Sequence, residues 1–443
     1  MAPRCPYAEL HSADFQADPH AVNQRMVEEH GPVFPAEIFP GIKAWVVADY
    51  ALITAWCRDA RTFSRDSRRW LDWREGRVPD DAPVVAMMTH RPNLLYADGD
   101  EHARLKRAVV DSLGRVPESR VGEITRHHAD ALIDAFCLRG HAEIVSEYAR
   151  LLPLLVLCDL FGFSRDVGER VLNSLSDLWD GIDAAKANGE YERALSDAIS
   201  AKHAAPGDDI TSWMLQHRVG LSDEELLAQL VVTIGAGAEP TANLISGTTH
   251  TILADEEVRQ AFRGARVGVS EAIDQVLWRD PPVNNYPVLY PVKDVRVSTG
   301  TLIRAGEPIL LGYAAAHDAM SSGGPDIEQG NRAHLAFGVG PHRCPAQGFA
   351  YAIAQVGVET LTKRLSGLRT SGNAPQRRPA PFALALSRLP VTFTPDAPKG
   401  TTPPWQQTSP SSTPTTSTGR QPNSGAEAPS SKLRSLVAWL FGR

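Results

Sequence analysis

The sequence has no closely spaced cysteines. Its five cysteines are scattered along 443 residues and include no Cys-x-x-Cys pair: Cys5, Cys57, Cys137, Cys158 and Cys344. An odd number of isolated cysteines argues against a disulfide framework and against a structural zinc site. We therefore expect a protein of the reducing cytoplasm.

The chain also lacks long apolar runs and an excess of basic residues. No segment approaches the roughly 18 apolar residues of a membrane-spanning helix. The N-terminal stretch MAPRCPYAELHSADF has no apolar core of the kind found in signal peptides. The net charge is -7, without a long basic run. We expect a soluble main body that does not bind nucleic acid.

Helical periodicity dominates the middle of the chain. Apolar residues recur mostly at helical spacing between residues 102 and 255. Residues 223–255 are apolar nearly all round, which predicts a long buried helix, and Pro240 should kink it by removing a hydrogen bond. Residues 283–313 resemble short strands separated by turns. The expected fold class is mainly α with small β-sheets, that is α+β.

The composition changes near residue 396, where Pro, Ser, Thr, Gly and Gln begin to dominate. Such a stretch cannot bury enough apolar surface to fold. We predict a folded domain over residues 1–395, a disordered linker over 396–430 and a short amphipathic basic helix over 431–443. At ~20 Å, that helix is too short to span ~30 Å of hydrocarbon. It would lie on a membrane surface, dock into a partner's groove or pack back on its own domain.

The strongest signal is the glycine-rich segment HLAFGVGPHRCPAQG, residues 334–348. Gly338 and Gly340 permit a tight loop whose backbone N–H groups can stabilise an anion. A helix is predicted to begin just after Pro345, so that its positive N-terminal end lies near the sulfur of Cys344. A glycine-rich surface turn beside a structural cysteine is the alternative, but it does not account for a motif of this length.

This segment resembles the haem loop of the cytochrome P450 superfamily, Phe-Gly-x-Gly-x-His/Arg-x-Cys. The matching residues are Phe337, Gly338, Val339, Gly340, Pro341, His342, Arg343 and Cys344. The resemblance covers roughly residues 15–395 and is of the soluble actinobacterial type. It implies the P450 fold, with a long central helix over haem b and with Cys344 as the ligand of the iron. It further implies haem contacts from Phe337, Gly338 and Gly348, and a propionate contact from His342.

A second matching segment, ADGDEHARLKRAVV, resembles the helix that holds the haem propionates through His-x-x-x-Arg. Here His102 is followed by Lys106 and Arg107, and lysine offers a point charge where arginine offers a bidentate fork. A solvated helix face is the alternative. In addition, Leu289 stands where many relatives have a propionate-binding arginine. Propionate binding would therefore depend on His102, on Lys106 or Arg107, and on the histidine of the cysteine motif.

A third segment, GAGAEPT, resembles the oxygen-binding part of the family's central helix, usually Ala-Gly-x-Asp/Glu-Thr. Ala236, Gly237 and Glu239 match it, whereas Pro240 replaces the alcohol and Thr241 follows one residue later. In the family the acid and the alcohol relay protons during oxygen activation. Glu239 and Thr241 are therefore the candidate catalytic residues, with Ala236 and Gly237 as haem contacts. A helix carboxylate packed in a polar pocket is the alternative for Glu239.

The Glu-x-x-Arg motif of the family is absent. Alignment on the sequence DPP puts Gln275 at the glutamate position and Trp278 at the arginine position. The segment DQVLW is similar to Glu-Gln-Ser-Leu-Trp of a streptomycete P450 subgroup that lacks the motif. Because the loss of both partners strands no buried charge, we expect a repacked core here. Only Arg332 is a candidate for the third partner, an arginine in the loop before the cysteine.

The resemblance implies a haem-thiolate monooxygenase that inserts oxygen from O2 into an apolar small molecule, with electrons from a ferredoxin and its reductase. Two alternatives stay open. One is a non-catalytic haem-binding or regulatory subunit docked to a membrane or a partner complex. This alternative is consistent with the missing alcohol, the altered core site and the helical tail. The other is a haem enzyme that uses peroxide. We expect a cytoplasmic location, peripheral to the membrane if residues 431–443 bind there.

Overall fold

The computed structural model describes residues 7–80, 82–179, 183–254, 259–260, 262, 264, 268–321, 330–372, 376–378 and 380–401. Its α-helices are Ala13–Ala17, Pro19–His30, Tyr50–Trp56, Leu71–Arg74, Val85–Met88, Gly99–Leu113, Glu118–Asp134, Leu151–Leu160, Arg165–Trp179, Ala184–Ala204, Ile210–Leu215, Asp223–Ala254, Val269–Arg279, Tyr313–Ser321 and Gln347–Arg364. Its strands are Ala8–Glu9, Val33–Phe39, Ile42–Val47, Phe63–Ser64, His141–Glu143, Tyr290–Pro291, Val295–Arg296, Leu302–Ile303, Ile309–Leu311, Arg369–Thr370 and Pro390–Thr392. The mainly α architecture with small sheets agrees with the expected fold class.

Short polar side chains determine where several helices begin. The carboxylate of Asp18 accepts the backbone N–H of Ala21, and Pro19 occupies the first helical position, where no N–H donor is needed. Asp209 caps the helix Ile210–Leu215 in the same way. These caps satisfy backbone donors that have no partner inside the helix.

The helix Asp223–Ala254, called the central helix below, has 32 residues and packs against Leu151–Leu160, Val269–Arg279 and Gln347–Arg364. Its buried apolar residues belong to the largest hydrophobic cluster of the molecule. The helix continues through Pro240. Since proline has no N–H, the carbonyl four residues earlier, that of Ala236, lacks its helical hydrogen bond.

The largest sheet has four strands. The antiparallel hairpin Val33–Phe39 and Ile42–Val47 lies at its centre, with Ala8–Glu9 and Ile309–Leu311 added in parallel on either side. Apolar residues of this sheet form two smaller clusters beside the helical core. The sheet thus contributes to hydrophobic clusters that are separate from the helical core.

The folded part extends beyond the predicted boundary at residue 395. The backbone N–H of Asp396 donates to the carbonyl of Cys137 at 3.2 Å, and that of Thr401 donates to Asp134 at 2.9 Å. The ammonium of Lys399 pairs with Asp130 at 3.0 Å. Residues 396–401 were therefore wrongly assigned to the linker, because these contacts fix them on the helix Glu118–Asp134. The rest of the linker and the helix predicted over residues 431–443 lie outside the described residues.

Within the described ranges, every helix is too short or too polar to cross a lipid bilayer.

Candidate functional site

The cysteine loop, residues 335–346, is a tight turn closed by its own backbone. The N–H of Cys344 donates to the carbonyl of Phe337 at 2.9 Å, and the N–H of Gly338 donates to Leu335 at 2.7 Å. Gly338 and Gly340 have φ angles of 71° and 75°, in the left-handed region that favours glycine. A Cβ at Gly340 would also lie 2.9 Å from a backbone oxygen of Cys57. Both glycines of the motif are thus required by the geometry of the loop.

The surroundings of Cys344 act on its thiol in opposite directions. Burial raises the pKa of the thiol, whereas the backbone N–H of Ala346 and the positive charges of Lys106 and Arg343 lower it. The helix Gln347–Arg364, called the cysteine helix below, begins three residues after Cys344, as predicted. The loop therefore provides the N–H donor and the positive charges that a thiolate needs.

Two histidines lie face to face beside this loop. The ring centroids of His102 and His342 are 3.9 Å apart, and both side chains are mostly buried. Burial lowers the pKa of His102 to about 3 and also lowers that of His342. Among the described residues, His102 Nε2 and His342 Nδ1 have no hydrogen-bond partner. Each is a buried polar atom able to bind a polar group of a ligand.

Only some of the predicted residues on the helix Gly99–Leu113 lie near the cysteine loop. The ammonium of Lys106 donates to the carbonyls of Pro341 and, at 2.8 Å, Arg343, so that it fastens the cysteine loop. Arg107 is exposed. Because one residue is about 100° around a helix, Arg107 cannot face the loop together with Lys106. The structure therefore does not bring Arg107 to the site.

Phe337 is half-buried, with its ring centroid 5.9 Å from that of His334. Gly348 is exposed on the cysteine helix, and a Cβ there would lie 3.5 Å from a carboxylate oxygen of Glu118. Gly348 thus faces a neighbouring helix, unlike the glycines of the loop.

The predicted catalytic residues occupy opposite faces of the central helix. Glu239 is half-buried on the same side as Ala236, which is exposed, whereas Thr241 is 2% exposed and lies among core residues such as Ala238 and Ala242. Two residues are about 200° around a helix. The structure therefore does not bring Thr241 to Glu239. Gly237 contacts Leu157, since a Cβ there would lie 3.2 Å from Leu157 Cδ1.

Glu239 forms an ion pair with Arg378, a residue that no sequence motif indicated. The side chains are 29% and 18% exposed. Since 139 residues separate them, no local pattern could have revealed the pair. The guanidinium holds the carboxylate in one orientation at the edge of the central helix.

The altered Glu-x-x-Arg site carries an ion pair that the alignment did not predict. The buried carboxylate of Asp274 accepts from Arg332 Nε at 2.9 Å and from the hydroxyl of Tyr351 at 3.0 Å. Gln275, expected in a repacked core, is exposed instead. The carboxylate is thus shifted by one residue along the helix Val269–Arg279. It meets the predicted candidate Arg332 and joins this helix to the cysteine helix through Tyr351.

Trp278 does repack the core, as predicted. It is 5% exposed, and its indole N–H donates to the carbonyl of Asn331 at 2.6 Å. Its ring centroid lies 4.7 Å from that of His317 and 6.0 Å from that of His334. Burial lowers the pKa of each of these histidines to about 4. The tryptophan therefore packs against neutral rings at the position that the sequence resemblance assigns to the motif's arginine.

Comparison with known proteins agrees with this geometry. No family model matches the chain. It is 30% identical over 307 residues to a steroid C26-monooxygenase of Mycolicibacterium smegmatis, covering 65% of this chain and 73% of the relative. It is 28% identical over 400 residues to the cytochrome P450 monooxygenase PikC of Streptomyces venezuelae, covering 86% and 92%. The structure of CYP154A1 from Streptomyces coelicolor is 28% identical, with a TM-score of 0.72 over 85% of this chain and 98% of that one.

The chain belongs to the cytochrome P450 superfamily, whose cofactor is haem b. The residues present fit that group. The cysteine loop offers a buried sulfur with an N–H donor, and the partnerless imidazole nitrogens of His102 and His342 suit the propionates. The relatives are P450 hydroxylases and monooxygenases, so that the chain is of the P450 enzyme class.

Proposed function

We propose that this protein is a haem-thiolate monooxygenase in which Cys344 is the ligand of the iron. The observation that carries the proposal is the setting of Cys344. Its thiol lies on a tight glycine loop at the N-terminal end of the cysteine helix, with the N–H of Ala346 directed at the sulfur. Bound haem would supply oxygen activation at a thiolate-ligated iron.

Other residues of the site hold the cofactor. His102 and His342 would bind the propionates through their partnerless nitrogens. Phe337 and Gly338 would line the macrocycle on the cysteine side, and Ala236 with Gly237 on the side of the central helix. Lys106 acts indirectly, through the carbonyls of the cysteine loop. Neither Arg107 nor Gly348 is included, because both are exposed away from these groups.

Glu239 is the acid that passes protons from solvent toward the site. Its half-buried carboxylate and its ion pair with Arg378 support this role. Thr241 is not included, because it belongs to the core face of the central helix. A water molecule or a hydroxyl of the substrate then completes the proton route, and the free carbonyl of Ala236 is suited to hold either one.

The substrate is an apolar small molecule. The partly exposed residues of the central helix near Glu239 include Val231, Val232 and Ala236, which offer an apolar wall. The relative from Mycolicibacterium smegmatis is a steroid monooxygenase, which supports an apolar substrate class.

Electrons come from a ferredoxin and its reductase in the cytoplasm. The cysteine side presents the exposed guanidinium group of Arg343 beside Lys106, and ferredoxins are acidic. For residues 431–443, docking to a membrane surface or to a partner protein stays a prediction from their sequence.

Turnover with ferredoxin, reductase and NADPH tests the proposal. Without an alcohol at position 240, we expect product together with substantial peroxide per NADPH. Pro240→Thr restores an N–H for the Ala236 carbonyl and places a hydroxyl one helical turn after Ala236, on the same face as that residue. It should lower the peroxide released by about threefold, equivalent to ~0.7 kcal/mol between the competing barriers.

Product formed only with added peroxide would contradict the use of O2 and favour the peroxide-using alternative. Haem binding without any product, across a library of apolar compounds that shift the spectrum, would favour the regulatory subunit. Tight coupling in the unmodified protein, with a substrate lacking a hydroxyl, would contradict the proposed effect of Pro240.

A further inference from the structure

Arg65 is a buried cation that has no carboxylate partner among the described residues. It is 4% exposed. Its Nη1 donates to the carbonyls of Pro287 at 2.9 Å and Val288 at 3.3 Å, and its Nη2 lies 3.6 Å from the sulfur of Cys57. Burial raises the pKa of Cys57, so that this thiol stays neutral. Within the part of the chain that the structure describes, no ion pair of Arg65 is found. A buried charge of this kind is costly unless an anion joins it.

The neighbouring carboxylate does not supply that anion. Asp98 accepts the backbone N–H of Arg65 at 3.1 Å and the hydroxyl of Ser64 at 2.6 Å. It also faces His342 Nε2 at 3.7 Å. The oxygens of Asp98 thus orient the backbone at Arg65 and the imidazole of His342. The guanidinium of Arg65 is directed instead toward the carbonyls of Pro287 and Val288.

The strand register places Arg65 opposite Leu289, the position where the family resemblance predicts a propionate-binding arginine. Phe63 pairs with Pro291 and Ser64 with Tyr290 in an antiparallel ladder. Continued by one residue, this register puts Arg65 opposite Leu289. Residues directly opposite each other in an antiparallel pair have their side chains on the same face. The guanidinium of Arg65 therefore lies on the same face as the side chain of Leu289, but comes from the neighbouring chain segment.

Arg65 also belongs to the surroundings of the two histidines. Asp98 accepts the backbone N–H of Arg65 at 3.1 Å and faces His342 Nε2 at 3.7 Å, and the ring centroid of His342 lies 3.9 Å from that of His102. Three potential donors, a guanidinium and two partnerless imidazole nitrogens, therefore lie in one region beside the cysteine loop. Such a set of donors suits a carboxylate.

We propose that Arg65, which directly follows the strand Phe63–Ser64, anchors a propionate of haem. It thereby takes the role of the arginine that is absent at position 289. This inference rests on the proposed haem site. The guanidinium keeps its bonds to the carbonyls of Pro287 and Val288, which precede the opposite strand and hold the guanidinium in one orientation.

The test compares Arg65→Met with Arg68→Met as a matched control. Arg68 is exposed and paired with Asp66, so that its loss should leave haem binding unchanged. Each holoprotein is mixed with excess apomyoglobin, and the rate of haem loss is measured. Arg65→Met should lose haem about tenfold faster than the unmodified protein, a factor that corresponds to ~1.4 kcal/mol. Arg65→Lys should be intermediate, because it keeps the charge without the fork.

A second measurement separates propionate binding from a purely structural role. The same proteins are loaded with the dimethyl ester of haem, which has no carboxylate. In the unmodified protein the ester should dissociate faster than haem. In Arg65→Met the ratio of the two dissociation rates should shrink by about threefold or more, because the guanidinium that binds the carboxylate has been removed.

Unchanged haem loss in Arg65→Met, or an ester effect as large as in the unmodified protein, would overturn the inference. Neither result would affect the proposed function, provided that the reduced unmodified protein forms the carbon monoxide band typical of a thiolate ligand. The absence of that band in the unmodified protein would instead refute the proposed function itself.

Discussion

His20 holds two carboxylates together at one edge of the fold. Its Nδ1 lies 2.7 Å from Asp318 and its Nε2 lies 3.3 Å from Asp280, which also accepts from Arg377 at 2.6 Å. Hydrogen bonds to Asp280 and Asp318 raise the pKa of His20 to about 9, against the opposing effect of burial. The imidazolium thus connects the helix Pro19–His30 to two later segments of the chain.

Because of His20, the free energy of unfolding should decrease as the pH rises from neutral to alkaline values. Its folded-state pKa of about 9 lies above the unfolded value of 6.5, so that its contribution is complete below pH 6.5 and is lost as the pH rises to 9. The shift corresponds to at most about 3 kcal/mol. The free energy of unfolding in urea, measured at pH 6 and pH 9.5, should fall less in His20→Gln than in the unmodified protein. Equal decreases in both proteins would contradict this assignment.

Individual residues were predictable from sequence only when a local motif constrained them. Gly338, Gly340 and Cys344 belong to one short loop whose geometry requires them, and all three lie as predicted. The partners Arg378 and Arg65 lie 139 and 222 residues from the groups that they contact. Such contacts depend on how the whole chain folds, which a local pattern cannot show.

At the scale of elements, the helix Val269–Arg279 shows how a core site can change its chemistry. Trp278 fills the arginine position with a buried indole, while the carboxylate moves to Asp274 and pairs with Arg332. Sequence reasoning predicted the repacking at Trp278 but not the shift of the charge. One step along a helix turns a side chain by about 100°, and this is why Gln275 is exposed while its neighbours are buried.

Restoring the family motif should therefore destabilise the protein. Trp278→Arg removes a buried ring and introduces a charge beside neutral histidines, which should lower the free energy of unfolding by about 3–5 kcal/mol. Gln275→Glu, on the exposed face of the same helix, should change it by less than about 0.5 kcal/mol. Urea unfolding of the two single variants and of the double variant measures both. A double variant with a higher melting temperature and full haem content would show that this account of the site is wrong.

The central helix illustrates what periodicity reveals. Its length and burial were predictable because its residues are apolar nearly all round. The proposed role of Thr241 was not supported, since the stripe formed by Ile234, Ala238, Thr241 and Ala242 faces the core. Two residues in one motif can thus have unrelated environments when they lie on opposite faces of a helix.

At the scale of the whole molecule, the proposed haem site involves two helices that are far apart in the sequence. In the proposal the central helix supplies Ala236, Gly237 and Glu239, and the cysteine helix begins beside Cys344 more than a hundred residues later. These two helices pack directly against each other, and the helix Val269–Arg279, which Tyr351 joins to the cysteine helix through Asp274, packs against both. The fold class was predictable from composition and motif, whereas this arrangement required the tertiary structure.

The absorption spectrum of the reduced protein with carbon monoxide tests the central claim most directly. With Cys344 as a thiolate ligand, the unmodified protein should absorb at about 450 nm, the property for which the superfamily is named. Cys344→Ala should lose this band. Cys158→Ala, which removes a thiol buried in the hydrophobic core, should keep it. Retention of the band in Cys344→Ala, or its absence from the unmodified protein loaded with haem, would contradict the assignment.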